Sequence, residues 1–308
     1  MSVTARDGDW IAIDWGTTNM RAMLVADGGA VRDRAAAGPG MAALARSGRG
    51  AAGFEDALRE AIDGWVAGPI DVLVCGMAGA RQGWVEAPYR EVPAALDGLL
   101  AAAVRVPTRD ARVNIRIVPG LCAREPRPDV MRGEETQLLG LLRQDRATRV
   151  CMPGTHSKWV ELDGERVTGF RTHMTGELNA VLTDHSILAT SLADASGEAF
   201  DEDAFDDAVR AAIDAGGAVL DRLFAIRAAG LLAGTSASHA RATLSGLLIG
   251  AELAREVADD PSPVALVGSG GLVQLYARAL AVAGVGSTVH DGTDLAVAGL
   301  AAMRQGGA

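Results

Sequence analysis

The sequence predicts an α/β protein in which one architectural plan is used twice. A buried strand, a Gly-Thr tip, a second strand, an Asp-Gly turn and a third strand occur in this order from residue 10 to residue 38, and the same order returns from 149 to 173. Around these two meanders, helical apolar spacing alternates with short buried strand patterns, as α/β architecture requires.

In the first meander, residues 10–16 read as a buried strand, "MRAMLVA" (20–26) as the next and "AVRDRAAAG" (30–38) as the third, with "DGG" (27–29) as the hairpin turn. Residues 54–66 carry apolar groups at 54, 57, 58, 61, 62 and 65, the spacing of one helical face, and "DVLVCGMAG" follows as a short buried strand. "RGEETQLLGLLRQ" (132–144) predicts a helix with Glu134 and Glu135 in its first turn. It leads into "RVCMPGTHSKWVELDGERVTGFRTH", which aligns Gly154-Thr155 on Gly16-Thr17. The acidic stretch 194–203 is expected to be a solvated loop and helix start. Residues 201–232 and 242–256 predict helices rich in small residues, and "VALVGSGGLVQLYARAL" (264–280) predicts a strand, a Gly-rich turn and a helix.

At 308 residues the chain is longer than one typical compact domain, so two lobes are expected, with a cleft between them. The boundaries fall at 1–133 and 134–293, with a helix at 294–308 returning to the first lobe. The net charge of −10 and the absence of a basic cluster interleaved with aromatics argue against nucleic acid as a partner. Cys75, Cys122 and Cys151 are odd in number, far apart and set among apolar residues, which reads as reduced, buried thiols. No signal pattern and no run of eighteen apolar residues is present, so a cytoplasmic protein without a membrane partner is expected. Oligomeric state is not legible, and a homodimer is carried only as an option.

The tips favour phosphate chemistry. Gly16, Thr17 and Thr18 between two strands offer backbone N–H groups and hydroxyls to phosphate oxygens. Asp14 beside them would repel phosphates unless a cation intervenes, and Mg²⁺ held through water by one carboxylate together with phosphates resolves the conflict. In the second tip Met152 occupies the place of Asp14, so Gly154, Thr155, His156, Ser157 and Lys158 supply donors without an acid, Lys158 being suited to neutralise charge on a transferred phosphoryl group. Gly268, Gly270 and Gly271 before a helix would let a nucleotide's sugar and base approach the backbone. Glu134 is the candidate that orients the nucleophile, with Glu135 and Glu177 as alternatives. Each feature also has a plainer explanation: a turn-capping aspartate, ordinary tight turns, a surface strand lysine, a turn histidine, and a helix-start acid favoured by the macrodipole.

"DWGTTNMR", "GMAGARQGWVEAPYREVPA", "MRGEETQ", "PGTHSKWV", "MTGEL" and "VGSGG" occur in the order and spacing seen in 2-dehydro-3-deoxygalactonokinases, and the chain resembles that family from about residue 10 to about residue 300. The resemblance implies two ribonuclease H-like (actin-like ATPase) lobes with ATP and Mg²⁺ between them, and transfer of the γ-phosphate to the 6-hydroxyl of a small sugar acid, 2-dehydro-3-deoxy-D-galactonate. It implies Asp14 as the metal holder, Gly16, Thr17, Thr18, Gly154 and Thr155 as phosphate grips, and Glu134 near the attacked phosphorus. Met152 departs from the acid that many superfamily members have there, which leaves a second direct metal ligand in question. For the substrate carboxylate and chain, Arg81, Trp84, Arg171, Thr175 and Glu177 are the candidates near resembling motifs. The competing functions are a polyphosphatase-type phosphohydrolase, a kinase for a related keto-deoxy acid, and a non-enzymatic nucleotide switch.

Overall fold

A computed structural model describes residues 3–193 and 199–306, and both expected meanders are present in it. The chain separates into two compact units: Met1–Thr148 with Glu161–Phe170 and Asp291–Ala308, and Arg149–Val160 with Arg171–His290. The first boundary therefore lies after the helix that carries Glu134 and not before it. Most of the acidic stretch 194–203 (residues 194–198) lies outside the described residues.

In the first unit, strands β1 (Trp10–Trp15), β2 (Asn19–Val25) and β3 (Val31–Arg34) form the antiparallel meander, with Trp10 opposite Val25 and Trp15 opposite Met20. The third strand is shorter than expected. It stops at Arg34, and β4 (Gly38–Pro39) pairs separately with the start of β2, where Pro39, which lacks an N–H, occupies the sheet rim. Helices α1 (Met41–Arg46) and α2 (Gly50–Ile62) follow, and α2 buries Phe54, Ala57, Leu58 and Ile62, the face that the apolar spacing marks. Strand β5 (Ile70–Gly76) then lies parallel to β1. Short strands β6 (Tyr89–Glu91), β7 (Ala94–Ala95) and β8 (Val104–Val106) precede β9 (Val113–Ile117), which lies parallel to β5. Strands β10 (Gly120–Ala123) and β11 (Asp129–Met131) make a small sheet with β6 and lead into α3 (Glu134–Leu142). Across the main sheet the order is β3-β2-β1-β5-β9, extended by β8.

The second unit repeats this order. Strands β12 (Arg149–Met152), β13 (Ser157–Asp163) and β14 (Arg166–His173) form its meander, and the far ends of β13 and β14 are grouped with the first unit, where Arg166 and Val167 pair with β7. Helices α4 (Thr175–His185), α5 (Ala189–Leu192), α6 (Glu202–Asp214), α7 (Leu220–Ala233) and α8 (Ala237–Glu256) come next. Strand β15 (Val264–Val267) then lies parallel to β12, and after α9 (Gly271–Val282) strand β16 (Ser287–His290) lies parallel to β15. The order β14-β13-β12-β15-β16 reproduces β3-β2-β1-β5-β9 element for element. Three antiparallel strands with two parallel strands added beside the first is the ribonuclease H-like arrangement, and its presence twice is the duplication that the Gly-Thr tips suggest.

The last helix, α10 (Gly292–Gly306), belongs to the first unit and packs against α3. Two glycines make the crossing this close. A Cβ at Gly140 would lie 2.1 Å from the Leu295 carbonyl oxygen, and one at Gly299 would lie 1.8 Å from that of Thr136. Both clashes are with backbone, which a rotamer change cannot relieve. Gly299→Val should therefore lower stability by about 3 kcal/mol or more. The measurement is the urea unfolding midpoint, and a shift below about 1 kcal/mol would show that the α3–α10 contact is not tightly packed.

Candidate active site

In the first unit the candidate residues gather at the C-terminal ends of β1 and β5. Gly16 donates its N–H to the Asn19 carbonyl (2.9 Å), which closes the tip. The carbonyls of Gly16, Thr17 and Thr18 are in turn bonded by the N–H groups of Met41, Ala42 and Gly40 at 3.1, 3.0 and 2.9 Å. This fixes the tip while leaving the Thr17 and Thr18 side chains exposed. Asp14 is largely buried and its carboxylate meets Arg21 at 3.3 Å. Burial raises its pKa, and the Arg21 cation only partly opposes this.

Gly76 ends β5 at φ +87°, and a Cβ there would lie 2.6 Å from the Trp15 carbonyl oxygen. Gly133 precedes α3 at φ +102°, where a Cβ would come 3.2 Å from the Cα of Gly76. Only glycine takes such backbone angles without strain, and this pair of contacts is what brings the start of α3 to the ends of β1 and β5. Glu134 is half-buried, and its Oε2 accepts from the Arg132 N–H at 2.9 Å. Glu135 is fully buried and accepts from the Gly133 N–H at 2.7 Å and the Thr136 hydroxyl at 3.1 Å. Burial, then the neighbouring Glu134 charge, pushes the Glu135 pKa up to about 8. The Cys75 thiol is also raised, by burial first and then by the charges of Asp14 and Glu135, so the three acids share one electrostatic neighbourhood. Arg132 beside them is buried. Its Nη2 donates to the Ala87 carbonyl (2.8 Å), its guanidinium stacks 4.3 Å from the Tyr89 ring centroid, and its Nε and Nη1 have no partner among the described residues.

In the second unit, the Gly154-Thr155 tip, the start of α4 and the start of α9 line one cavity of about 270 Å³, whose walls include Gly154, Thr155, Thr175, Gly176 and Asn179 with Ser245, Leu248, Ile249 and Leu272. Glu177 donates its N–H to the Thr155 carbonyl (2.9 Å), and a Cβ at Gly176 would lie 2.3 Å from the Gly154 carbonyl oxygen, so α4 starts directly on the tip. His156 and Glu177 pair with each other at 2.5 Å. Lys158 is not a surface lysine: it is 5 % exposed, and its Nζ donates to the His156 carbonyl at 3.1 Å. In the Gly-rich turn, Gly268 donates to the His290 carbonyl (3.0 Å), Gly270 is at φ +76°, and Gly271 opens α9. Met152 is buried, as its apolar side chain favours.

Beneath this cavity lies a group that sequence reasoning missed. The Glu252 carboxyl, buried on α8, accepts from the Ser157 hydroxyl (2.9 Å), the Trp159 indole N–H (2.6 Å), the Tyr276 hydroxyl (2.8 Å) and the Thr175 hydroxyl. It joins β13, α4, α8 and α9 at one point. One turn further along, Glu256 accepts from the Arg171 guanidinium at 2.9 and 2.8 Å and pairs with His173 at 2.9 Å. These partners hold the Glu256 pKa at about 2 against the opposing effect of burial. A helix rich in small residues gives no outward sign of such acids. The available signal is their i, i+4 spacing at the end of the helix, after the apolar run 247–249.

Among the substrate candidates, Arg171 and Thr175 are thus bonded to buried carboxyls, and Glu177 to His156. Arg81 is exposed, with Glu86 at 3.7 Å. Trp84 is in the core of the first unit, its ring 5.9 Å from Trp15 and 6.3 Å from Phe54, so the aromatic cover expected of it is spent on packing. A larger cavity, about 900 Å³, lies elsewhere in the first unit, along α2 and residues 109–112. Part of its charge is paired: Arg109 holds Glu55 and Asp56 at 2.8 and 2.5 Å, and Arg112 holds Asp110 at 2.7 Å.

No cluster of three His, Cys, Asp or Glu able to cage a metal is present among the described residues. The donor set does fit Mg²⁺ bound the usual way, through one carboxylate, water and phosphates. Asp14 is a desolvated carboxylate whose charge a cation would stabilise, at a tip with exposed hydroxyls.

The duplicated ribonuclease H-like sheet, with a Gly-Thr tip at the same place in each copy, is the architecture of the sugar-kinase and actin-like ATPase superfamily. The family model for 2-keto-3-deoxy-galactonokinase matches residues 14–303, and the chain belongs to that family. A protein of Rhizobium meliloti (strain 1021) named "Probable 2-dehydro-3-deoxygalactonokinase DgoK1" is 44 % identical over 96 % of both chains. The 2-dehydro-3-deoxygalactonokinase of Escherichia coli (strain K12) is 35 % identical over 97 % of both. A crystal structure from Sinorhizobium meliloti, of a protein that carries a 2-dehydro-3-deoxygalactonokinase name, superposes with a TM-score of 0.86 at 43 % identity, covering 96 % of this chain and 98 % of that one.

Two outcomes follow from this geometry. With a folded pKa near 8 against an ordinary 4.5, Glu135 favours the folded state fully below pH 4.5, and that contribution is lost as pH rises through 8. Glu135→Gln should flatten the decline between pH 5 and 8.5, by about 4 kcal/mol in urea-derived stability. An unchanged pH profile would show that Glu135 is ionised in the fold. Glu252→Ala leaves three hydroxyls and an indole N–H without their acceptor and should cost about 3 kcal/mol or more, read from the thermal midpoint.

Proposed function

We propose that the protein transfers the γ-phosphate of ATP to the 6-hydroxyl of 2-dehydro-3-deoxy-D-galactonate. Membership of the kinase family supports the reaction class, and one observation supports its placement: Asp14, Glu134 and the Gly16-Thr17-Thr18 tip converge at the C-terminal ends of parallel strands, where α/β sheets bind ligands. In this reading the Thr17 and Thr18 hydroxyls and tip amides offer donors to phosphate oxygens in the first unit, and the Gly154-Thr155 tip is the corresponding donor group of the second. Asp14 is the residue that would hold Mg²⁺, and the ion, when bound, would supply charge neutralisation to the phosphates.

Glu134 accepts a hydrogen bond from the sugar-acid hydroxyl and aims its oxygen in line with the phosphorus, which is most of what phosphoryl transfer asks of a protein. The cavity beside Gly154, Thr155 and Leu272 takes the nucleoside: Leu248, Ile249 and Leu272 provide apolar contact, while Ser245 and Asn179 provide polar groups. Lys158, held by the His156 carbonyl beneath the second tip, sets the positive potential that the phosphates meet. Glu252 fixes the position of that tip through Ser157 and Thr175.

Purified protein with Mg²⁺ and ATP should release ADP only when the keto-deoxy acid is added, followed by coupled ADP detection. Release at the same rate without the acid would instead indicate a phosphohydrolase. Glu134→Gln should lower kcat by about 100-fold or more with little change in ATP binding, whereas Asp14→Ala should abolish turnover and raise the Mg²⁺ requirement. A Glu134→Gln variant within a few-fold of wild-type kcat would reduce that residue to a helix-start acid.

A further inference from the structure

Arg132 is a buried cation for which the proposed reaction has so far no role. It follows β11 directly, opens the Arg-Gly-Glu-Glu run and is only 7 % exposed. Its seat is shaped for a flat cation. A Cβ at Gly79 would lie 2.8 Å from Arg132 Nη1, and one at Gly120 would lie 2.9 Å from the Tyr89 ring and 2.5 Å from the Met131 carbonyl oxygen, so two glycines clear the space. The Tyr89 ring covers one face of the guanidinium at 4.3 Å, and the Ala87 carbonyl accepts from Nη2 at 2.8 Å. The seat is also unfavourable: Nε and Nη1 are buried without an acceptor among the described residues. An apolar side chain would fill such a place at less cost than a guanidinium with unmet donors, so packing alone does not account for Arg132. Its place beside the acids of α3 does. The N–H of Arg132 donates to Glu134 Oε2 at 2.9 Å, and the next N–H, that of Gly133, donates to Glu135 at 2.7 Å. Two successive amides thus aim two successive carboxylates. Gly133 is located by its contact with Gly76, whereas Arg132 is located by its side chain.

We propose that Arg132 is the positioning residue for Glu134: its guanidinium, clamped by Tyr89 and Ala87, fixes the amide that holds the Glu134 carboxylate in line for the sugar-acid hydroxyl. The proposal rests on the phosphoryl-transfer reading above. Arg132 acts through Glu134 and needs no contact with substrate or phosphate. Lysine would keep the charge without the planar face that lies on the ring, so even this substitution should loosen the clamp. In-line transfer is sensitive to such loosening, since a displacement of about 1 Å can lower the rate ~100-fold.

The test is a double-mutant cycle read in kcat, with Mg-ATP and the keto-deoxy acid saturating. Arg132→Lys should lower kcat about 10-fold or more and leave the KM for ATP within about twofold. In a Glu134→Ala background, which has no carboxylate left to position, the same substitution should change kcat by less than about twofold. An Arg132→Lys variant with wild-type kcat overturns the proposal. So does an equal loss in both backgrounds, which would show a merely structural role. Should Arg132→Lys fail to fold by circular dichroism, Tyr89→Leu takes its place in the cycle, because Tyr89 is 40 % exposed and its loss removes only the ring from the clamp. The same pair of outcomes then decides. A wild type without acid-dependent turnover, or a Glu134→Ala chain as fast as the wild type, overturns the phosphoryl-transfer reading and this proposal together. A slow Glu134→Ala chain in which the second substitution multiplies the loss overturns this proposal alone.

Discussion

The first unit depends on backbone meeting backbone at the ends of two parallel strands. Trp15, Gly76 and Gly133 approach so closely that no side chain fits between them, and two of the three take backbone angles that only glycine adopts freely. Everything chemical in that unit follows from this contact. It sets the N-terminus of α3, with its acids, beside the tip of β1. It also explains why Glu135 is buried: the helix is drawn down onto the sheet, and its second residue turns inward. A bulkier residue at position 76 or 133 would lift the helix and separate Glu134 from Asp14 before altering either acid.

The second unit solves the same positioning problem by a different means. Its tip carries no acid, and α4, α8 and α9 are gathered instead around the Glu252 carboxyl, which takes hydrogen bonds from four side chains. A buried carboxyl with every lone pair engaged is costly to disturb and therefore fixes the geometry around it. The two halves thus share strand order but differ in how the tip is held, by glycine contacts in one and by a buried acid in the other.

Much of this was legible in the sequence. Gly-Thr tips between strand patterns revealed the duplication, and the apolar spacing of residues 54–66 marked the buried face of α2. What stayed hidden has physical reasons. Strands β6, β7, β10 and β11 are two to four residues long, too short for a period-two pattern to register. Glu252 and Glu256 were hidden because a polar residue in a small-residue helix looks solvent-facing until its donors, contributed from residues 157 to 276, are assembled around it. Trp84 misled because a loop tryptophan is equally suited to stacking on a ligand and to filling a core, and Trp15 with Phe54 claimed it. For Lys158, strand alternation does not distinguish a buried lysine bonded to a local carbonyl from the exposed strand lysine that was the plainer alternative.

The return of α10 to the first unit has a consequence for biosynthesis. That unit begins before the second, yet the helix seated on α3 through Gly140 and Gly299 is translated only after the second unit. While the ribosome is still producing the middle of the protein, the α3 groove has no occupant, and the second unit has all of its residues available sooner. The unit begun earlier is thus completed later than its neighbour, and its nascent form would carry an apolar groove in need of shielding until α10 emerges.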